Sequence, residues 1–100
     1  DILPYISENC RTVSIASLAQ HVNYSPAHLS ALIKRYYSCS FSDLLKSARL
    51  TRAAALLKET DLSVSEIMEQ IGCSNRTWFT KKFRERYGTS PGAYRSLPPS

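Results

Sequence analysis

One stretch of this 100-residue chain is written twice, and that repetition limits the possible folds more than any other feature. Ser14-Ile15-Ala16-Ser17-Leu18-Ala19-Gln20-His21-Val22 is echoed 49 residues later by Ser63-Val64-Ser65-Glu66-Ile67-Met68-Glu69-Gln70-Ile71. After one inserted residue the offset becomes 50. Leu29, Ile33 and Tyr37 then pair with Phe79, Phe83 and Tyr87, and Ser40-Phe41 pairs with Ser90-Pro91. Two copies of one local design imply two similar supersecondary units, each extending over roughly thirty residues.

The chemistry at the start of each copy is that of a helix N-terminus. Ser14 can cap a helix from Ile15, with Val13 and Leu18 placed as a hydrophobic staple. Ser63 does the same with Leu62 and Ile67, and Glu66 completes a capping box. Each short helix ends at a residue that tolerates a left-handed backbone, Asn23 or Gly72. A second helix follows about three residues later, with Ser25-Pro26 as its cap and first residue in one copy and Asn75 or Ser74 as the cap in the other. Counted from Ala19, Asn23 lies at +4, Leu29 at +10 and Leu32 at +13, the spacing of two helices crossing over a tight turn. Met68, Gly72, Phe79 and Phe83 repeat the arrangement, so the sequence predicts two helix-turn-helix units: residues 1–45 and 59–100.

Between them, residues 41–58 contain neither Gly nor Pro and are rich in Leu and Ala, which predicts one long connecting helix. Leu50, Ala53 and Leu57 form its apolar stripe, with Leu44, Leu45 and Ala48 extending toward the first unit. Short helices are expected at Ile2–Ile6 and Pro91–Leu97. No segment alternates apolar with polar residues for long, so the class is all-α.

Thirteen Lys and Arg against eight Asp and Glu give a formal charge of +5, which suits a polyanionic partner if the charge is concentrated. It is concentrated. Residues 76–86 carry Arg76, Lys81, Lys82, Arg84 and Arg86 against the single acid Glu85, a local net of +4. With Phe79, Phe83 and Tyr87 turned inward, Thr77, Trp78, Thr80, Lys81, Arg84 and Glu85 face out, and Arg76 occupies the exposed first turn. A helix fits the DNA major groove, where Arg and Lys donate to guanine and hydroxyls or methyls meet thymine. In the first unit Leu29, Leu32, Ile33 and Tyr36 are expected to be buried, leaving Ala27, His28, Ser30, Ala31, Lys34 and Arg35 outward. The alanines carry no hydrogen-bonding side chain, so this helix is expected to act mainly on phosphates. The residues alone thus imply double-stranded DNA binding. The competing class is a helical protein-interaction module whose basic surface serves solubility, with RNA binding a further alternative.

Paired carboxylates, a nucleophile beside a base and a Gly-rich phosphate loop are all missing from the pattern, so no enzyme, catalytic residue or cofactor is expected. Cys10, Cys39 and Cys73 lack CxxC spacing and His21 and His28 lack ligand partners, so the expectation is reduced thiols, no metal and a cytoplasmic location. Runs such as Ala53–Leu57 are far too short for a membrane span, and no secretory leader is recognisable. A chain starting at Asp1 rather than Met is expected to be a fragment of a longer protein.

The stretch Ile71-Gly72-Cys73-Ser74 through Trp78-Phe79-x-Lys81-x-Phe83-Arg84-x-x-Tyr87-Gly88-x-Ser90-Pro91-x-x-Tyr94-Arg95, supported by Arg49-Leu50-x-x-Ala53-x-x-Leu56-Leu57, resembles the DNA-binding domain of the AraC/XylS family of bacterial transcription regulators. The resemblance covers residues 2–97 and implies about seven helices in a homeodomain-like arrangement. It also implies two recognition helices in adjacent major-groove segments, activation through RNA polymerase, and an effector or dimerisation domain outside this chain. By position, the family's base-contacting residues fall on Ala27, Ser30 and Ala31 and on Arg76, Thr77, Trp78 and Lys81. Cys73 departs from the pattern, since an aromatic commonly follows the glycine there.

Overall fold

A computed structural model describes residues 2–97 of the chain. These form seven α-helices: α1 (Ile2–Glu8), α2 (Ile15–His21), α3 (Pro26–Tyr37), α4 (Phe41–Glu59), α5 (Val64–Ile71), α6 (Arg76–Tyr87) and α7 (Pro91–Ser96). The chain divides into two compact units, residues 1–48 and 49–100, and the division falls within α4. Each unit holds one of the repeats.

Serine starts most of these helices. The Ser14 hydroxyl accepts from the Ser17 amide at 3.1 Å, and Ser17 Oγ accepts from the Ser14 amide at 2.9 Å. At α5 the reciprocal pair is Ser63 with Glu66, at 3.1 and 3.0 Å. A third box that the sequence reading did not identify opens α4: the Asp43 amide donates to Ser40 Oγ at 3.1 Å and the Ser40 amide donates to Asp43 Oδ2 at 3.2 Å. Such reciprocal caps satisfy amides that have no partner inside the helix.

Both turns close in the same way. Asn23 and Gly72 have φ of 62° and 82°, and the amides that follow them, Tyr24 and Cys73, donate back to Ala19 and Met68 carbonyls at 2.9 Å. These are Schellman-type ends, in which one left-handed residue reverses the chain. The extra residue of the second copy is Ser74, placed after the turn and before the Asn75 cap of α6, so the turn itself is unchanged. The second helices also end alike. Ser38 and Gly88 cap α3 and α6 with φ of 58° and 79°.

The first unit buries Ile6, Val13, Leu18, Ala19, Leu29 and Ile33, with Tyr37, Phe41, Leu44, Leu45 and Ala48 packed against them. The expected burial of Tyr36 does not occur, because it is 72% exposed. The apolar row advances in steps of four from Leu29 through Ile33 to Tyr37, and the side chains of α4 complete the core on the Tyr37 flank. Tyr36 falls to the other side of that row, where it and the half-buried Leu32 help line an open surface depression that Ile2, Tyr24 and the edge of Tyr37 share.

The second unit buries Leu50, Ala53, Ala54, Leu57, Ile67, Met68, Ile71, Phe79 and Phe83. The Phe83 ring lies 5.8 Å from Phe79, 4.5 Å from Tyr87 and 5.3 Å edge-on from Tyr94, so α6 and α7 share one aromatic cluster. Arg95 of α7 donates to the carbonyls of Leu57 at 3.1 Å and Thr60 at 3.2 Å, and also to that of Leu62. A guanidinium placed on the last carbonyls of α4 satisfies acceptors that the helix cannot and meets the negative end of its dipole.

Two outcomes follow from these caps and turns. The Ser40 and Ser63 amides, and then their hydroxyls, hold the Asp43 and Glu66 carboxyls below the ordinary carboxylate range. Depressed carboxyls contribute stability that is present above the unfolded value near 4 and is lost as pH falls through the folded values. Between about pH 6 and pH 3 the thermal midpoint of the wild type should therefore fall further than that of the Asp43→Asn, Glu66→Gln double variant. Equal falls would contradict this role of the two boxes. The paired caps give a second outcome. Nothing lies within 4 Å of a Cβ built on Gly88, so Gly88→Ser should cost only the left-handed backbone strain, about 1 kcal/mol. The reverse change in the other copy, Ser38→Gly, should be neutral or gain up to about 1 kcal/mol in denaturant unfolding.

Candidate nucleic-acid interface

Helix α6 is set in place by its buried side. Phe79 and Phe83 are both fully buried, and a helix held by residues four apart turns its far side, with Lys81 and Arg84, to solvent. Its start is fixed by Asn75, whose Oδ1 accepts from the Trp78 amide at 3.0 Å, while Cys73 Sγ approaches the Asn75 carbonyl at 3.7 Å. The helix has 12 residues, a length of about 18 Å.

Along the outer face Arg76, Thr77, Thr80, Lys81, Arg84 and Glu85 line one shallow, open depression. Arg76, Thr77, Lys81, Arg84 and Glu85 are exposed, whereas Thr80 and Trp78 are half-buried. Trp78 therefore lies at the edge between the core and the outer face. The Lys82 ammonium sits 3.4 Å from the Glu85 carboxylate, both side chains being about half exposed. The Arg86 guanidinium lies 5.6 Å from the Tyr87 ring centre, so it covers its neighbour and stands off the row. Three cations and two hydroxyls thus share one helix face, with a single carboxylate at its C-terminal end.

Helix α3 presents a different face. The Ser25 hydroxyl accepts from the His28 amide at 3.2 Å and Pro26 occupies the first turn. Ala27, His28, Ala31, Lys34 and Arg35 are exposed and Ser30 is half-buried. Lys34 and Arg35 both lie in the last turn, leaving the first two turns without a Lys or Arg. Tyr24, 48% exposed, meets the His28 ring edge-on at 4.9 Å. Sequence reasoning passed over Tyr24 because it stands in the turn, outside the helical stripe used to sort inward from outward positions. Its signal was its place directly before the Ser25 cap, at the exposed start of α3. Among the described residues no three His, Cys, Asp or Glu side chains come together as metal ligands would, and no helix is long and apolar enough to cross a membrane.

A helix-turn-helix fold with a basic outward helix defines a class of DNA-binding domain, and comparison with known proteins narrows it. The helix-turn-helix domain family matches residues 18–96. An uncharacterised helix-turn-helix transcriptional regulator of Bacillus subtilis, YfiF, is 37% identical over 94 residues, covering 93% of this chain and 30% of that protein. The C-terminal domain of AraT, a response regulator from Geobacillus stearothermophilus, has a solved structure with a TM-score of 0.76 at 34% identity, covering 98% of this chain and 84% of that one. A transcriptional regulator with an AraC-type DNA-binding domain from Chromobacterium violaceum superimposes with a TM-score of 0.81 at 27% identity, covering 97% of this chain and 90% of that one. This chain belongs to the helix-turn-helix domain family of AraC/XylS-type transcription regulators, a DNA-binding rather than an enzyme family. It spans about a third of the length of the curated relatives first matched.

Proposed function

We propose that the chain binds specific sequences in double-stranded DNA and that its two helix-turn-helix units do unequal work. In this reading α6 supplies most of the base readout, through Arg76, Thr77, Trp78, Thr80, Lys81 and Arg84. Helix α3 contributes phosphate and shape contacts through His28, Ser30, Lys34 and Arg35, with Ala27 and Ala31 allowing close approach. The observation that carries it is the single open face of α6 on which Arg76, Lys81 and Arg84 gather with Thr77 and Thr80. Arg and Lys recognise guanine O6 and N7, hydroxyls serve several bases, and each good base contact contributes about 1–3 kcal/mol of discrimination.

In the full regulator we further propose a cytoplasmic setting, an accompanying effector or dimerisation domain, and activation through contact with RNA polymerase. The threefold greater length of the B. subtilis relative supports the accompanying domain.

A second reading, a protein-interaction module with a basic surface, is favoured by the open apolar depression beside α3 formed by Leu32, Tyr24 and Tyr36. Mobility shifts with random duplex DNA at two salt concentrations separate the two. DNA binding predicts retention that falls by about 0.9 log unit per log unit of salt for each phosphate neutralised, whereas the interaction module predicts none.

The division of labour has its own test in a panel of duplexes that differ at single base pairs. Lys81→Ala should lose about fivefold to a hundredfold in affinity for its preferred duplex and flatten the preference at one or two positions. Ala27→Ser and Ala31→Ser should leave the ranking of sequences intact. A uniform loss for Lys81→Ala with reordered ranking for the alanine variants would reverse the assignment.

A further inference from the structure

The internal repeat makes one position of the two recognition helices stand out. At an offset of 50 residues, Glu85 of α6 corresponds to Arg35 of α3, so the same helical place carries opposite charge in the two copies. Both residues are exposed. Glu85 is also the sole acid on a face whose other charged members, Arg76, Lys81 and Arg84, are cations, and it shares their depression. Its ion pair with Lys82, at 3.4 Å with both side chains about half exposed, is too solvated to account for it as a structural element. A carboxylate there opposes association with phosphates.

Resting on the reading of α6 as the base-reading helix, we propose that Glu85 is a specificity-determining residue that accepts a hydrogen bond from an exocyclic base amine in the major groove. Its place permits this. Glu85 lies one turn beyond Lys81 and two beyond Thr77, about 13 Å along the helix from Arg76. Recognition helices of the homeodomain type reach base edges with side chains spread over eight residues, the span from Thr77 to Arg84, and Glu85 extends that row by one position. A carboxylate can only accept. Cytosine N4 and adenine N6 are the only groups in the major groove that donate, whereas the groove faces of guanine and thymine present acceptors that repel it. Glu85 therefore selects a base pair that puts cytosine or adenine under the end of α6, and Lys82 holds the carboxylate when DNA is absent. At the matching place in the first unit Arg35 can only donate, so the two halves of the binding site are not repeats of one another even though the protein halves are.

The test is site selection from a randomised duplex, followed by titration, with the wild-type chain, Glu85→Ala and Glu85→Gln, each checked for folding by circular dichroism. For the wild type, one position of the selected site should be restricted to cytosine or adenine. In Glu85→Ala that restriction should disappear, with preference there falling about fivefold to a hundredfold while other positions are kept, and binding to random duplex should tighten. Glu85→Gln, which can accept from N6 and donate to N7, should move the same position to adenine. A uniform gain in affinity with an unaltered selected site would overturn the inference and leave Glu85 as a general electrostatic brake. No binding of the wild type to any duplex would instead overturn the DNA-binding reading on which it rests. A wild type that binds without sequence preference would also refute the role of Glu85.

Discussion

Two backbone hydrogen bonds set the architecture, from Tyr24 to Ala19 and from Cys73 to Met68, each 2.9 Å long across a residue in the left-handed conformation. Without that reversal α2 and α5 would continue or fray, and no helix would return to cover their apolar sides. With it, Leu29 and Ile33 close one small core, and Phe79 and Phe83 close the other. The outward faces follow from this closure. A helix fixed by two buried residues four apart has no rotational freedom left, so the positions of Lys81 and Arg84 on the surface follow from the burial of Phe79 and Phe83.

The copies share this scaffold and differ in everything placed on it. Gly72 and Gly88 serve in the second unit where Asn23 and Ser38 serve in the first, so the second unit meets the left-handed requirement at less steric cost. Its core is built from large aromatics and is tied to the end of α4 through Arg95 and the carbonyls of Leu57 and Thr60. Its outer helix carries the charge. The first unit has aliphatic residues at the core, alanines in the first half of its outer helix, and an exposed Tyr36 where the second unit has Arg86. The readout proposed for α6 thus rests on a helix anchored by the buried aromatic rings of Phe79 and Phe83.

Much of this was legible in the sequence because it depends on local chemistry. Ser63 with Glu66, Ser25 with Pro26, and the left-handed Asn23 and Gly72 are signals confined to a few residues, and the structure places each in the expected role. The repeat then supplied the long-range information that local patterns lack, by showing that two such units exist. What escaped was decided by packing between helices. An ideal helical wheel assigns Tyr36 to the core as readily as Tyr37, and only the arrival of Phe41, Leu44 and Leu45 on one flank selects Tyr37. The box at the start of α4 is equally local, but its Ser40 stands just before the 41–58 segment that Leu and Ala content marks as helix. Tyr24 at the start of α3 was hidden by its place in a turn, outside any periodic stripe.

The central claim is that α6 reads bases while α3 mainly holds the backbone. Amide chemical-shift mapping of the labelled chain with its selected duplex tests it most directly. The account predicts the largest perturbations from Arg76 to Arg84, including the Arg76 and Arg84 side-chain Nε–H groups, and small ones at Ala27 and Ala31. Perturbations concentrated on Ala27 through Ala31, or confined to Tyr24, Leu32 and Tyr36 with α6 unmoved, would contradict it.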